Sequence, residues 1–195
     1  MPHDPPFVVE PSGFNGRLIR WNGLDAAGFA AWEFLPGMRF NECAAWWRDG
    51  AGRGSAHEGL DILWYRTGDG RRLSLPPGSR VPAVYPGEVV SVVDDFLGVS
   101  VFVAHERVDG RGRRLHSIFG HIRPRPGLTL GSRVAAGDAV GTVADTSGGR
   151  SRVPAHLHLS LALVRGARGP ERLDWQALRD SERARLLDPM ILMTE

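Results

Sequence analysis

The chain contains no lysine. All 24 of its basic residues are arginine, in 195 residues, so Schiff-base chemistry and carrier-lysine chemistry are excluded. It has one cysteine, Cys43, which rules out an internal disulfide and a cysteine-rich zinc site. In Asn-Glu-Cys-Ala-Ala-Trp-Trp that residue is expected to pack as a small hydrophobe. No run is long and apolar enough for a membrane helix. The start, Met-Pro-His-Asp-Pro-Pro, lacks the basic residues and apolar core of a signal peptide. From the start alone, the expectation is a cytoplasmic protein or a trimmed chain. Charge of one sign is also missing: the net charge is +2, so neither nucleic acid nor a membrane surface is implied as a partner.

Glycine and proline are plentiful, at 25 and 14 residues. Many turns and few long helices follow, which favours a mainly β, antiparallel domain with glycine-rich turns and a short C-terminal helix. The length suits one domain with a decorated N-terminus. Residues 1–50 read as an irregular arm, carrying a solvated His3, and an aromatic-rich packing segment. Residues 51–195 read as the main domain. Short strands and loops are expected over 13–50, where Phe14, Trp21, Phe29, Trp32, Phe34, Phe40, Trp46 and Trp47 cluster. Asp69-Gly70 and Asp109-Gly110 mark hairpin turns. Helix formers over 174–187 predict the C-terminal helix, stopped by Asp188-Pro189, and Met190–Met193 a last strand.

The most informative stretch is Pro154 to Val164. Leu157, Leu159, Leu161 and Leu163 alternate with His156, His158, Ser160 and Ala162. Period two predicts a half-buried strand with a leucine core face. The two imidazoles, about 6.6 Å apart along the strand, reach into one space. Upstream, the small-residue loop Gly50–Ala56 delivers His57-Glu58-Gly59-Leu60-Asp61 to a strand over 62–65, and His121 ends the strand that starts at Arg114. His105 and His116 are read as surface or structural. The candidate ligands are therefore His57, Asp61, His121, His156 and His158. Three histidine or carboxylate ligands plus an open position is the composition of a catalytic zinc site. Spacing alone leaves open whether His156, His158 or both bind metal. A cupin-type site would need a glutamate three or four residues on, and none is there.

His57-Glu58-Gly59-Leu60-Asp61 resembles the H-x-G-x-D motif of the lysostaphin/LytM-type zinc endopeptidases, which hydrolyse peptidoglycan. His156-Leu157-His158 resembles that family's H-x-H strand. Phe119-Gly120-His121-Ile122 is similar to its tyrosine-x-histidine-leucine segment, and Pro86-Gly87-Glu88-Val89 and Asp188-Pro189 fit its β pattern and ending. The resemblance covers roughly residues 55–164, and three motifs in order are specific.

It implies a duplicated-hybrid-motif or barrel-sandwich fold over 51–195. It implies one zinc per chain held by His57, Asp61 and His158, with His121 and His156 catalytic and handling the proton of the attacking water. It also implies peptidoglycan peptides as substrate, a periplasmic or extracellular setting, and a monomer. Arg150 and Arg152 read as solvated loop charges. Two departures stand out: Phe119 replaces the family's tyrosine, and no tyrosine lies shortly before His57. A non-catalytic relative that regulates a cell-wall amidase is the alternative, but such relatives usually lose ligands and this chain keeps them. A carrier module fails for want of lysine, although Gly87–Ala144 resembles the rhythm of lipoyl domains.

Overall fold

The computed structural model describes residues 7–48, 51–148, 153–166 and 173–194. His3, Arg150 and Arg152 lie outside them. The chain enters through α1 (Phe14–Trp21) and β1 (Phe29–Glu33). It then lays down β2 (Leu60–Ile62), β3 (Trp64–Thr67), β4 (Arg72–Ser74), β5 (Arg80–Pro82), β6 (Gly87–Asp94), β7 (Val99–Val108), β8 (Arg114–Pro124), β9 (Arg133–Val134), β10 (Ala139–Val143) and β11 (Leu157–Val164). It ends in α2 (Trp175–Arg179), β12 (Ala184–Leu187) and a 3-10 helix over Pro189–Met193.

The fold is mostly β and antiparallel. β1, β3 and β4 form a small sheet, and nine strands form the main one, whose path runs β12–β11–β8–β7–β6–β9. β2 pairs with β11, and β10 pairs with both β5 and β8. The expected hairpins form. Gly70 takes the left-handed φ of 87° between β3 and β4, which glycine adopts without steric cost. Between β7 and β8, the Asp109 side chain accepts from the Arg111 and Arg113 backbone N–H groups at 3.0 and 2.8 Å.

β11 departs from the half-buried expectation: all eight of its residues are buried. Its leucine face joins Val101, Val103, Leu115 and Phe119 in the larger core. Its other face, through Ala162 and Val164, joins Phe102 and Ile118 in a second core, roofed by Leu173, Leu178 and Ala184 with Trp175 packed against it. The C-terminal segment therefore converts a one-sided strand into a two-sided one.

That segment also corrects the tail. The helix expected to reach residue 187 stops at Arg179. Asp174 caps its start, accepting from Ala177 N at 2.9 Å, and Asp180 is already extended. The following residues pair with the open edge of β11, Leu161 opposite Leu187 and Val164 opposite Ala184. Satisfying a row of otherwise unpaired backbone groups outweighs modest helix propensity. Residues 190–193 form a 3-10 helix rather than a strand, because the Asp188 side chain accepts from Met190 N at 2.9 Å and Pro189 suits a first helical position.

At the other end, residues 14–21 are helical instead of extended. Phe14 and Leu18, four apart, are fully buried on one face. Asn15 ties this helix to the C-terminus: its Nδ2 donates to Met193 O at 3.1 Å, and its Oδ1 accepts from Trp32 Nε1 at 2.7 Å. Cys43 is exposed and does not pack as a hydrophobe. Its backbone carbonyl is instead committed to Arg53 N at 2.7 Å.

His105 and His116 are both buried, the structural half of their expectation. His105 Nδ1 donates to Pro86 O at 2.9 Å, so its Nε2 accepts from Ser117 Oγ at 3.0 Å. His116 donates to Arg114 O at 2.9 Å, while its buried Nε2 has no partner among the described residues. Burial holds both imidazoles down at a pKa of about 4.

Two outcomes follow. Leu159→Ala should cost about 2–5 kcal/mol as a large-to-small change in a fully buried strand, and a loss under about 1 kcal/mol in denaturant melts would contradict the register. The two histidines also make stability pH-dependent. Their folded pKa lies below the unfolded value, so their contribution is complete above about pH 6.5 and is lost as the pH falls through about 4. At pH 5 each should have cost about 2 kcal/mol. Urea midpoints at pH 7 and pH 5 test this: His116→Gln should flatten the dependence, and an identical slope in that variant would show that His116 does not carry it.

Candidate metal centre

Sheet register builds the site. β2 and β11 run antiparallel with Asp61 directly opposite His158, and β8 sets Gly120 opposite the same histidine. Two segments about a hundred residues apart thus deliver ligands to one point. Gly59 is required for this approach. A Cβ there would collide with the Leu159 carbonyl, Ser160 Oγ and the His158 ring, so the central glycine of His57-Glu58-Gly59-Leu60-Asp61 is a steric necessity.

Three atoms converge. His158 Nδ1 lies 2.8 Å from Asp61 Oδ1, His57 Nε2 lies 3.2 Å from that oxygen, and the two imidazole nitrogens are 3.1 Å apart. All three residues are buried, and together they form a group able to hold a metal ion. The opposite side of each ligand is occupied. His57 Nδ1 faces Arg39 O at 3.1 Å, and a carbonyl can only accept, so this nitrogen carries the hydrogen and Nε2 is left with its lone pair. His158 Nε2 meets Ser160 Oγ at 2.8 Å, which leaves Nδ1 for the centre. Asp61 Oδ2 accepts from Trp46 Nε1 at 2.7 Å and Arg53 Nη2 at 2.8 Å. Such outer partners fix the orientation of ligand side chains.

The electrostatics agree. Burial works against the charge on Asp61, but His156, His158 and His57 hold its carboxyl well below the usual carboxylate range. Burial pushes His158 down to about 4 against the pull of Asp61. At neutral pH the group therefore presents a carboxylate and a neutral imidazole, the forms that bind metal.

His156 and His121 stand beside this group. His156 Nε2 is 3.5 Å from Asp61 Oδ1, and its Nδ1 donates to Pro154 O at 2.8 Å. The His121 and His156 rings are 4.8 Å apart, edge to face. His121, partly exposed, donates from Nδ1 to Asp95 Oδ1 at 3.0 Å. All five candidate residues are thus brought together. Trp46 packs 5.0 Å from the His156 ring and Trp175 lies 5.1 Å from the His158 ring, giving aromatic walls on two sides.

Sequence reasoning missed Asp95, Arg53 and the contacts of Trp46 and Ser160. Asp95 sits in Asp94-Asp95-Phe96-Leu97-Gly98, which reads as an ordinary turn. Arg53 lies in a glycine-rich loop with no pattern of its own. The Phe119 departure loses its weight: that residue points into the larger core, on the face of β8 away from His158.

Two depressions reach residues that contact the group, Arg53 in one and Pro154 in the other. One, of about 370 Å³, is lined by Trp47, Arg48, Arg53, Glu58 and Arg179. The other, of about 400 Å³, is lined by Trp64, Ser74, Asp145, Thr146 and Pro154.

The fold and site define an antiparallel β domain with a buried His/Asp/His group that could hold a metal ion. Within it, the model of peptidase family M23 matches residues 66–169, more than half the chain, and the chain belongs to that family. The match includes His121, His156 and His158 and begins after Asp61; the structure joins His57 and Asp61 to the others. No curated protein matches.

Among solved structures, a zinc-containing peptidase from Vibrio cholerae is similar at 19% identity and a TM-score of 0.49, over 86% of this chain and 40% of that one. A protein named as a peptidase M23 from Pseudomonas aeruginosa shares 25% identity at a TM-score of 0.40, over 80% of this chain and 58% of that one. One named as a glycyl-glycine endopeptidase LytM from Ruminococcus gnavus shares 22% identity at 0.37, over 83% and 68%. The chain thus spans about half the length, or less, of the first two.

The outer contacts of Asp61 carry an expectation. Trp46→Phe keeps an aromatic ring near His156 but removes the hydrogen bond to Oδ2, and should weaken divalent-ion binding roughly 10- to 100-fold. Competition against a chromophoric chelator measures it, and unchanged affinity would mean that Asp61 needs no such support.

Proposed function

We propose that the protein is a zinc-dependent endopeptidase that hydrolyses peptide bonds in bacterial peptidoglycan, stem or cross-bridge. The observation that carries this reading is the convergence of His57 Nε2, Asp61 Oδ1 and His158 Nδ1 beside two further histidines. Their separations of 2.8 to 3.2 Å fit the roughly 3.3 Å between ligands of a tetrahedral ion bound at about 2.0–2.1 Å. Imidazole, imidazole and carboxylate, without thiolate, is the donor set of a catalytic zinc rather than a structural one. Family membership supports a peptide as substrate. Peptidoglycan, a periplasmic or extracellular setting, a monomer, and a division into a packing segment (1–50) and a peptidase domain (51–195) complete the proposal.

In this reading His57, Asp61 and His158 hold one zinc per chain, which when bound would lower the pKa of a water to about 7 and polarise a peptide carbonyl. The remaining work falls to the chain. His156 and His121 each have Nδ1 committed, to Pro154 O and to Asp95, so each offers Nε2 to the reacting groups. One of them accepts the proton of the attacking water at Nε2 and, so protonated, hands it on to the leaving amine; the other would stabilise the developing negative charge as an imidazolium, donating from Nε2. Burial of the group keeps bulk water out and strengthens these interactions. The depressions that reach Arg53 and Pro154 are the candidate paths for the peptide.

Zinc stoichiometry and digestion of purified peptidoglycans of known cross-bridge chemistry, read by mass spectrometry, test the proposal. Wild type should hold one zinc and release peptide fragments. His158→Ala should lose metal and activity together. His121→Ala and His156→Ala should keep zinc and lose turnover by roughly 10²–10⁴-fold. The double variant should lose far less than the product of the two, as expected for groups acting as one unit. If His156→Ala loses its zinc, His156 is a ligand. If wild type binds zinc but cleaves no peptidoglycan, or both single variants stay fully active, the reading fails.

A further inference from the structure

We propose that Asp95 is a positioning residue for His121, gripping it at ring and backbone so that Nε2 faces the metal group. The proposal rests on the endopeptidase reading for its catalytic consequence.

His121 has a φ of 60°, a left-handed conformation uncommon outside glycine. Such strain persists where neighbours impose it, and it clusters at functional sites. Here Asp95 imposes it. Its Oδ2 accepts from the His121 backbone N–H at 2.9 Å, and its Oδ1 accepts from His121 Nδ1 at 3.0 Å. One carboxylate thus holds a single residue at two points, fixing the direction of the Cα–Cβ bond and the rotation of the ring together. Because a carboxylate only accepts, Nδ1 carries the hydrogen, and in the neutral ring Nε2 keeps the lone pair.

The carboxylate is itself braced. Leu97 N and Gly98 N donate to Oδ1 at 2.9 and 2.8 Å, and Ser100 Oγ donates to Oδ2 at 2.6 Å. Ser100 in turn accepts from Trp175 Nε1 at 3.0 Å, the tryptophan that walls His158. His121 and Ser100 hold the Asp95 carboxyl well below the usual range in spite of burial, so the acceptor is charged. The turn carrying Asp95 lies directly on His121: a Cβ on Gly98 would stand 3.0 Å from Ile122 O and 3.3 Å from the His121 carbonyl carbon. His156, the other histidine beside the group, has its Nδ1 on a neutral carbonyl, Pro154 O, and the carboxylate near it, Asp61, lies 3.5 Å from its Nε2 instead. The two histidines are therefore held by different means.

A turn-building role alone would also explain an aspartate here, so the test must separate the two. It uses Asp95→Ala, Asp95→Asn, His121→Ala and the double variant Asp95→Ala/His121→Ala, each zinc-loaded, assayed on a soluble cross-linked muropeptide. In either orientation, Asn sets an amide N–H against a His121 N–H; with its oxygen in the Oδ1 position it also keeps the acceptor for Leu97 N and Gly98 N, so it serves even where Ala fails to fold. Both Asp95 variants should keep zinc and lower kcat roughly 10- to 100-fold, the scale of a misplaced catalytic group, with KM within about twofold. In the His121→Ala background, removing Asp95 should cost nothing further.

Nitrogen-15 NMR of the histidine rings supplies a readout independent of activity. His121 should be the Nδ1–H tautomer in wild type and a mixture in Asp95→Ala. An Nε2–H tautomer in wild type, an unchanged kcat, or an equal loss with and without the His121 imidazole overturns the proposal. If wild type cleaves no muropeptide, the endopeptidase reading fails, and the tautomer measurement still decides whether Asp95 positions His121.

Discussion

The antiparallel pairing of β2 with β11 is the contact on which the site depends. It is three residues long, Leu60 to Ile62 against Leu157 to Leu159. Because side chains alternate across a strand, this one register puts Asp61 and His158 side by side on one face and buries Leu60, Ile62, Leu157 and Leu159 on the other. A slip of β2 by one residue would turn Asp61 into the larger core and Leu60 or Ile62 into the site, while β11 is held in place by β8 and β12. The apolar energy of the leucine face therefore fixes the metal group, although it touches none of its ligand atoms. Gly59 is the condition for the pairing, since any side chain there would separate the two strands.

Burying three histidines and an aspartate at one end of a sheet, with a fourth histidine half-buried beside them, is costly unless each polar atom finds a partner. The chain meets this with local partners. Arg39 and Pro154 give backbone carbonyls, Ser160 a hydroxyl, Asp95 a carboxylate, and Trp46 and Arg53 donors to Asp61. Each partner occupies the side of the ring or carboxylate that faces away from the centre. Satisfying the outside leaves lone pairs on the inside, where His57, Asp61 and His158 crowd within contact distance. Stability and preorganisation thus have a common source here, the saturation of the outer hydrogen-bonding positions.

Much of this was legible in the sequence because it depends on period and spacing. The alternation from Leu157 to Val164 announced the central strand, and the Asp-Gly pairs announced the hairpins. The three short motifs named all five residues that the fold assembles. What was not legible depends on neighbours distant in sequence. Residues 184–187 have no strand pattern of their own and become a strand because β11 has an open edge. The half-buried expectation for β11 failed for the same reason, since α2 and its flanks cover the second face. Asp95 is invisible as a functional residue because a turn aspartate is common, and only the approach of β8 reveals what its carboxylate holds. Phe119 shows the reverse: a departure that looked chemical in the sequence is a core residue in the fold.

The seven histidines of this chain include two sets with different surroundings, and the comparison shows what separates the clustered imidazoles from the structural ones. His105 and His116 sit on β7 and β8, as deeply buried as His57 and His158. Both are pushed toward the neutral form by burial, as His158 is. Burial and a depressed pKa therefore do not distinguish the sets. The difference lies in what the free nitrogens face. His105 uses both nitrogens on Pro86 and Ser117, and the free Nε2 of His116 has no partner among the described residues. The free nitrogens of His57, His156 and His158 instead converge on a single oxygen, Asp61 Oδ1, at 3.2, 3.5 and 2.8 Å. An oxygen shared by three imidazoles cannot accept good hydrogen bonds from all of them without protonated rings, and burial disfavours those charges for His158. Close-packed lone pairs around one carboxylate repel each other, and a bound cation would turn that repulsion into coordination.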